Sequence, residues 1–219
     1  MSFNLGSTEP IFLAKAKTAI SITLQTPSIS EAVAPFGYST EKMNEGLLMQ
    51  STSEAIWNNQ QKEKQESTLA AMAHNATFDK VKALLTRHRE LARTLYKRKP
   101  EILVALNISG SLPQNYSEFM LSYNNFYNNI KNNPNLQSKV LLIGISETVL
   151  DEALALSTQL ETEHATLVKE RGESQVSTQT KNSALLDLKE WLDDFEDVAK
   201  VAFYDAPQTL ELLGFFVRN

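Results

Sequence analysis

The chain has no cysteine. That excludes disulfides, thiolate zinc sites, iron–sulfur clusters and cysteine nucleophiles. Glycine and proline are scarce, with 7 of each in 219 residues. An all-β chain built on many tight turns needs more of both, so the shortage favours long helices. No window approaches 18 consecutive apolar residues, so no segment is expected to span a membrane. The opening stretch MSFNLGSTEPIFLAKAKTAI lacks a basic region leading into an unbroken apolar core, and a cytoplasmic location is expected from that. Gly-rich phosphate loops, G-x-S-x-G elbows and Walker-type lysines are also missing. The expectation is a non-enzymatic protein with no cofactor and no metal.

Only three histidines occur, His74, His88 and His164, and no two lie at the i,i+4 spacing of a local metal pair. Glu161-x-x-His164 has the spacing used in di-iron bundles, but such sites need two of these motifs and two further glutamates. The matching position in the other half of the chain reads Glu54-x-x-Trp57, which removes the second motif.

What the chain does contain is a sentence written twice. ARTLYKRKPEILVALNIS begins at Ala92, and AKVAFYDAPQTLELLGFF begins at Ala199. Sliding the sequence by 107 residues brings Phe12 onto Phe119, Pro27 onto Pro134, Gly37 onto Gly144 and Ser39 onto Ser146. It also brings Leu85 onto Leu192, Pro100 onto Pro207 and Leu106 onto Leu213. The matches fall on punctuating residues along the whole length. A tandem duplication follows, with copies at 1–109 and 110–219.

The punctuation predicts local structure. Pro100 and Pro207 suit a helix start, where no N–H is needed. Asn107 and Gly214 are residue types that enter the left-handed conformation cheaply and end helices. Gly37 and Gly144 should end a short helix mid-copy, and Ser39 and Ser146 should cap the next one. Each copy therefore reads as four helices: about 10–24, a short one after Pro27, then 40–65 and 68–97. The second copy reads as 115–131, a short one after Pro134, then 147–171 and 175–204. In 115–131, Tyr116, Phe119, Met120, Tyr123, Phe126, Tyr127 and Ile130 recur at helical spacing and form a core stripe. Leu69, Met72, Ala73, Ala76, Val81, Leu84, His88, Leu91, Ala92 and Leu95 are assigned to one face of the fourth helix, with His88 half-buried at a core edge; the second copy offers Leu185, Leu188, Trp191, Leu192, Phe195, Val198, Ala199, Ala202 and Phe203. The β-branched run AISITLQT is read as helix because the second copy offers no strand there. The fold class is all-α, as two tandem homologous up-and-down helical bundles.

The copies differ in charge. Residues 1–109 carry 13 basic and 10 acidic side chains, a net of +3; residues 110–219 carry 8 and 16, a net of −8. The contrast peaks on equivalent helices. Arg87, Arg89, Arg93, Lys97, Arg98 and Lys99 face Asp193, Asp194, Glu196 and Asp197 in the alignment of the copies. These ten residues form the expected interaction surface. It could serve internal docking, head-to-tail association of copies, or an acidic partner. Nucleic acid is not expected, since the chain is acidic overall and only Tyr96 interleaves the basic run.

The segment LKEWLDDFEDVAKVAFYDAPQTLELLGFF resembles the C-terminal signature of a group of bacterial, Bacteroidetes-like helical-bundle proteins. There a W-x-x-D-F helix leads through A-[KR]-x-A to P-Q-x-L-E-x-L-G. Trp191, Asp194, Phe195, Ala199, Lys200, Ala202, Pro207, Gln208, Leu210, Glu211, Leu213 and Gly214 carry the likeness. It implies the helical fold and transfers no site. The functional expectation is a structural or interaction module acting through helix faces, with a protein partner or self-association. The alternative is a carrier of a small apolar ligand or lipid between helices, lined by Tyr123, Phe126, Trp57 or Trp191. Phe215, Phe216 and Val217 are expected to tuck over the last helix.

Overall fold

A computed structural model describes residues 8–215. The element order is α1 (Glu9–Gln25), α2 (Pro27–Val33), α3 (Thr40–Leu95), α4 (Pro100–Ala105), α5 (Tyr116–Lys131), α6 (Pro134–Val140), α7 (Glu147–Ala202) and α8 (Gln208–Leu212). Single 3-10 turns follow α2 and α6. Among the described residues there is no strand, and the all-α class holds. The AISITLQT run lies mostly inside α1, as helix. The starts of α1, α2 and α3 recur at α5, α6 and α7 with the 107-residue spacing of the sequence matches.

The stops follow the expected chemistry. Asn107 and Gly214 take φ of 54° and 75°. With them in that conformation, the Ile108 N–H reaches the Leu103 carbonyl at 2.9 Å and the Phe215 N–H reaches the Leu210 carbonyl at 2.9 Å. Carbonyls at the ends of α4 and α8 are thus satisfied. Ser39 and Ser146 accept backbone N–H groups of α3 and α7 at 3.4 and 3.3 Å.

Two helices were expected in each copy where one is found. α3 and α7 each run 56 residues without interruption. No proline stands between 65 and 68 or between 171 and 175. Gly172 is the only breaker there, and a helix-interior glycine costs about 1 kcal/mol, too little to stop a packed helix.

This continuity sets the packing. One compact unit comprises 1–65 with 172–219; the other is 66–171. The packing boundary therefore does not follow the expected division into 1–109 and 110–219, because each unit draws on both halves of the chain. In the first unit, α1 packs on the first part of α3 and the second part of α7. Ser53 Oγ donates to the Ala184 carbonyl at 3.2 Å and Gln60 to Thr178 at 3.3 Å, so the two segments run antiparallel. Its core holds Phe12, Ala16, Ala19, Ile20, Met43, Leu188, Trp191 and Phe195. In the second unit, α5 packs on the second part of α3 and the first part of α7. Its core holds Val81, Leu85, Phe119, Tyr123, Phe126, Tyr127, Ile145 and Leu150.

Bulk is redistributed between equivalent positions. Ala16, Ala19 and Ile20 of α1 correspond to Tyr123, Phe126 and Tyr127 of α5, while Trp191 and Phe195 of α7 correspond to Leu84 and His88 of α3. In one unit the aromatic mass sits on the long helix, and in the other on the short one. Either arrangement puts large buried side chains into the layer.

Phe215 is buried against Phe195, with ring centroids 5.9 Å apart. Phe216 and Val217 lie outside the described residues. No described helix is long and apolar enough to cross a membrane.

Candidate functional site

The ten expected surface residues separate into two groups. Arg89 is buried and Arg93 half-buried. Arg89 donates to the carbonyls of Asn107 at 3.4 Å and Gly110 at 2.6 Å. Arg93 donates to the Ile108 carbonyl at 2.6 Å and also to Gly110. These guanidiniums fasten the chain that follows α4 and are not available as a surface. Charge-assisted bonds to carbonyls anchor backbone more firmly than neutral ones. Arg87, Lys97, Arg98 and Lys99 are exposed. Asp193, Asp194 and Asp197 are exposed as well, with Asp193 paired to Lys189 and Asp197 to Lys200. Glu196 is half-buried and pairs with Lys15 at 3.4 Å. Tyr96 is buried in its core.

The expected core face of the fourth helix also divides. Val81 and His88 face inward, but Leu69, Met72, Ala73 and Ala76 are exposed, Leu69 by 57% and Met72 by 64%. The inward positions are His74, Thr77 and Val81. Continuing the outer line at helical spacing from Leu69 and Met72 gives Ala76, Lys80, Ala83 and Arg87, all exposed. The equivalent line on α7 reads Val176, Gln179, Ser183, Asp187, Glu190 and Asp194, also all exposed. One outer face is apolar and basic; its counterpart, apart from Val176, is polar and acidic.

Deeper in each unit, three equivalent positions carry different chemistry. In the first unit, Trp57 Nε1 donates to Glu9 at 2.9 Å, and Lys181 donates to the other oxygen of the same carboxylate. In the second unit the same positions hold His164, Tyr116 and His74. The His164 ring stacks on Tyr116, with centroids 3.8 Å apart and planes at 13°. His164 Nδ1 lies 3.3 Å from His74 Nε2. The His74 ring stacks on Phe78 at 10°, and its Nδ1 lies 3.3 Å from Asn75 Oδ1. Burial, the neighbouring imidazole and Arg171 all depress the proton affinity of His164. The buried Tyr116 hydroxyl has no hydrogen-bond partner.

His88 is buried in the core itself, not at its edge. It meets the Tyr127 hydroxyl at 2.9 Å, and burial followed by Arg87 lowers its pKa. Tyr123 donates to the Ala153 carbonyl at 2.9 Å. Desolvation pushes both tyrosines far above the usual phenol range. The aromatics expected to line an apolar cavity are packed against protein groups. Tyr123 and Phe126 fill one core, Trp191 the other, and Trp57 is bonded to Glu9.

The fold and these sites define an all-α protein of two helical units sharing two long helices. Comparison with protein families, curated proteins and solved structures finds no match to this chain.

Proposed function

We propose that this chain is a non-enzymatic interaction module whose working surface is the outer face of α3 from Leu69 to Arg87. Its partner is a helix with an acidic face, and a second copy of the chain supplies one along α7 from Val176 to Asp194. The observation that carries this reading is the opposition of two equivalent exposed faces, Leu69, Met72, Lys80 and Arg87 against Asp187, Glu190 and Asp194. Leu69 and Met72 provide apolar area whose burial stabilises contact. The charges set partner and orientation more than strength. The tandem-copy origin fits this reading, since two versions of one helix face have diverged toward opposite sign.

Light scattering of the full chain at about 0.05 M and 0.5 M salt tests it, since those ionic strengths bracket strong surface screening. Association is expected at low salt and weaker association at high salt. Lys80→Glu with Arg87→Glu should abolish it, and adding Asp187→Lys with Asp194→Lys to a second copy should restore it across the mixture. A chain that remains monomeric at low salt and at high concentration contradicts self-association through this face.

A further inference from the structure

Ninety residues of sequence separate His74 from His164, yet the packing of α3 on α7 in the second unit brings their ring nitrogens together. Asn75 Oδ1 can only accept, so His74 Nδ1 carries the proton at that 3.3 Å contact. The lone pair of His74 Nε2 is thereby turned toward His164 Nδ1, 3.3 Å away. Two nitrogens bound tetrahedrally to one zinc ion at about 2.0–2.1 Å lie about 3.3 Å apart. The observed 3.3 Å separation, an imidazole–imidazole hydrogen bond as it stands, matches that bite.

We infer that His74 and His164 form a two-histidine site for a late first-row divalent metal ion such as Zn²⁺ or Ni²⁺. His74 Nε2 and His164 Nδ1 are the protein ligands, and water completes the shell.

Two features support this beyond the distance. The imidazoles are preoriented, His74 by its Asn75 contact and the Phe78 stack, His164 by the Tyr116 stack. An outer partner that fixes the tautomer of a ligating histidine is a common requirement of such sites. His74 is only 9% exposed, whereas His164 is half-buried and reaches solvent on one side, which leaves a path for the ion and its waters. Proton balance is simple. His164 Nδ1 gives up the hydrogen bond to His74, and its proton moves to Nε2 as the metal takes Nδ1. No oxidant or further reactant is involved. The first unit has no such site, because its equivalent positions are Lys181 and Trp57.

The test is calorimetric titration of the full, tag-free chain with Zn²⁺ or Ni²⁺ in a non-coordinating buffer at pH about 7.5, above the ordinary histidine pKa. One ion per chain is expected, with a rise in Tm that grows with free metal. His74→Gln and His164→Gln should each remove the saturable binding. His164→Trp, which copies the residue at the equivalent position, checks that loss of binding is not loss of fold. His88→Phe should retain binding. Absence of saturable binding in the native chain, or binding that survives His74→Gln or His164→Gln, overturns the assignment.

Discussion

Trp191 lies over the bare α-carbon of Gly46: a Cβ built at that glycine would sit 2.4 Å from two carbons of the indole. Both residues are buried, and the indole also packs edge-on to Tyr38 at 5.6 Å. At the equivalent positions stand Ala153 and Leu84, so a larger residue on one helix is matched by a smaller one on the other. Gly46→Ala is expected to destabilise the chain by about 1–3 kcal/mol, because overpacking outweighs the gain in helix propensity. Gly172→Ala is the contrasting case. Nothing approaches its Cβ position within 4 Å, so the substitution should stabilise by about 0.5–1 kcal/mol. Urea denaturation of both variants decides the point; equal signs would contradict it.

Glu9 holds α1 to both long helices of its unit through Trp57 and Lys181. Lys181 is almost wholly buried. Glu9→Gln removes the counter-charge and leaves a buried ammonium without it, a loss of about 2–4 kcal/mol. Lys181→Met alone should cost less, since the remaining carboxylate is partly exposed and keeps Trp57. The double variant should recover part of the Glu9→Gln loss, and a double-mutant cycle by chemical denaturation measures the coupling. Strict additivity would mean the pair does not stabilise the fold.

Stability should depend on pH through two histidines of the second unit. His88 and His164 both have lowered pKa values, chiefly from burial. The neighbouring charges act in the same sense: Arg87 for His88, and His74 and Arg171 for His164. Around the ordinary pKa of 6.5 the unfolded chain takes up protons that the folded chain resists. The stability is therefore full above that pH and is lost as pH falls toward the lowered folded values. The slope is at most about 1.4 kcal/mol per pH unit for each histidine. His88→Phe, the residue at equivalent position 195, should flatten the slope between pH 7 and 5 even though it deprives the Tyr127 hydroxyl of its partner. An unchanged slope would assign the dependence elsewhere.

The helices and their stops were legible because they rest on local chemistry. Proline at a helix start, Asn107 or Gly214 at a stop and serine caps act within a turn of the chain. The α5 stripe was legible for the same reason: its periodicity is uniform, and Phe119, Tyr123, Phe126 and Ile130 are all buried. The 69–76 stripe misled because apolar residues at helical spacing mark a face without saying which way it points. There the buried side is His74 and Thr77, so polar side chains face inward. Arg89 misled similarly, since a basic run reads as surface until the carbonyls of Asn107 and Gly110 are brought beneath it. The His74–His164 contact depends on the register of two long helices, which no short-range spacing encodes. One signal did exist: His164 corresponds to Trp57 and His74 to Lys181, two departures from the repeat that fall on facing helices.

The packing boundary makes a prediction about fragments. The apolar face of α1 is built from Phe12, Ala16, Ala19 and Ile20, and part of what covers it is Leu188, Trp191 and Phe195 from the other half of the chain. The α5 face likewise meets Val81 and Leu85. A fragment of residues 1–109 therefore exposes half of each core, and so does 110–219. Each buries too little apolar area to offset its conformational entropy. Expressed apart, neither is expected to unfold cooperatively as a monomer. Mixed at equal concentration, they should restore the helical circular-dichroism signal and a single cooperative transition, because continuous α3 and α7 each supply a segment to both cores. Ala19→Phe, which copies Phe126 into the wrong unit, should block this recovery, since Ala19 is fully buried and has no room for the ring. A 1–109 fragment that melts cooperatively as a monomer would show that one copy holds a complete core, and the division into interleaved units would then fail.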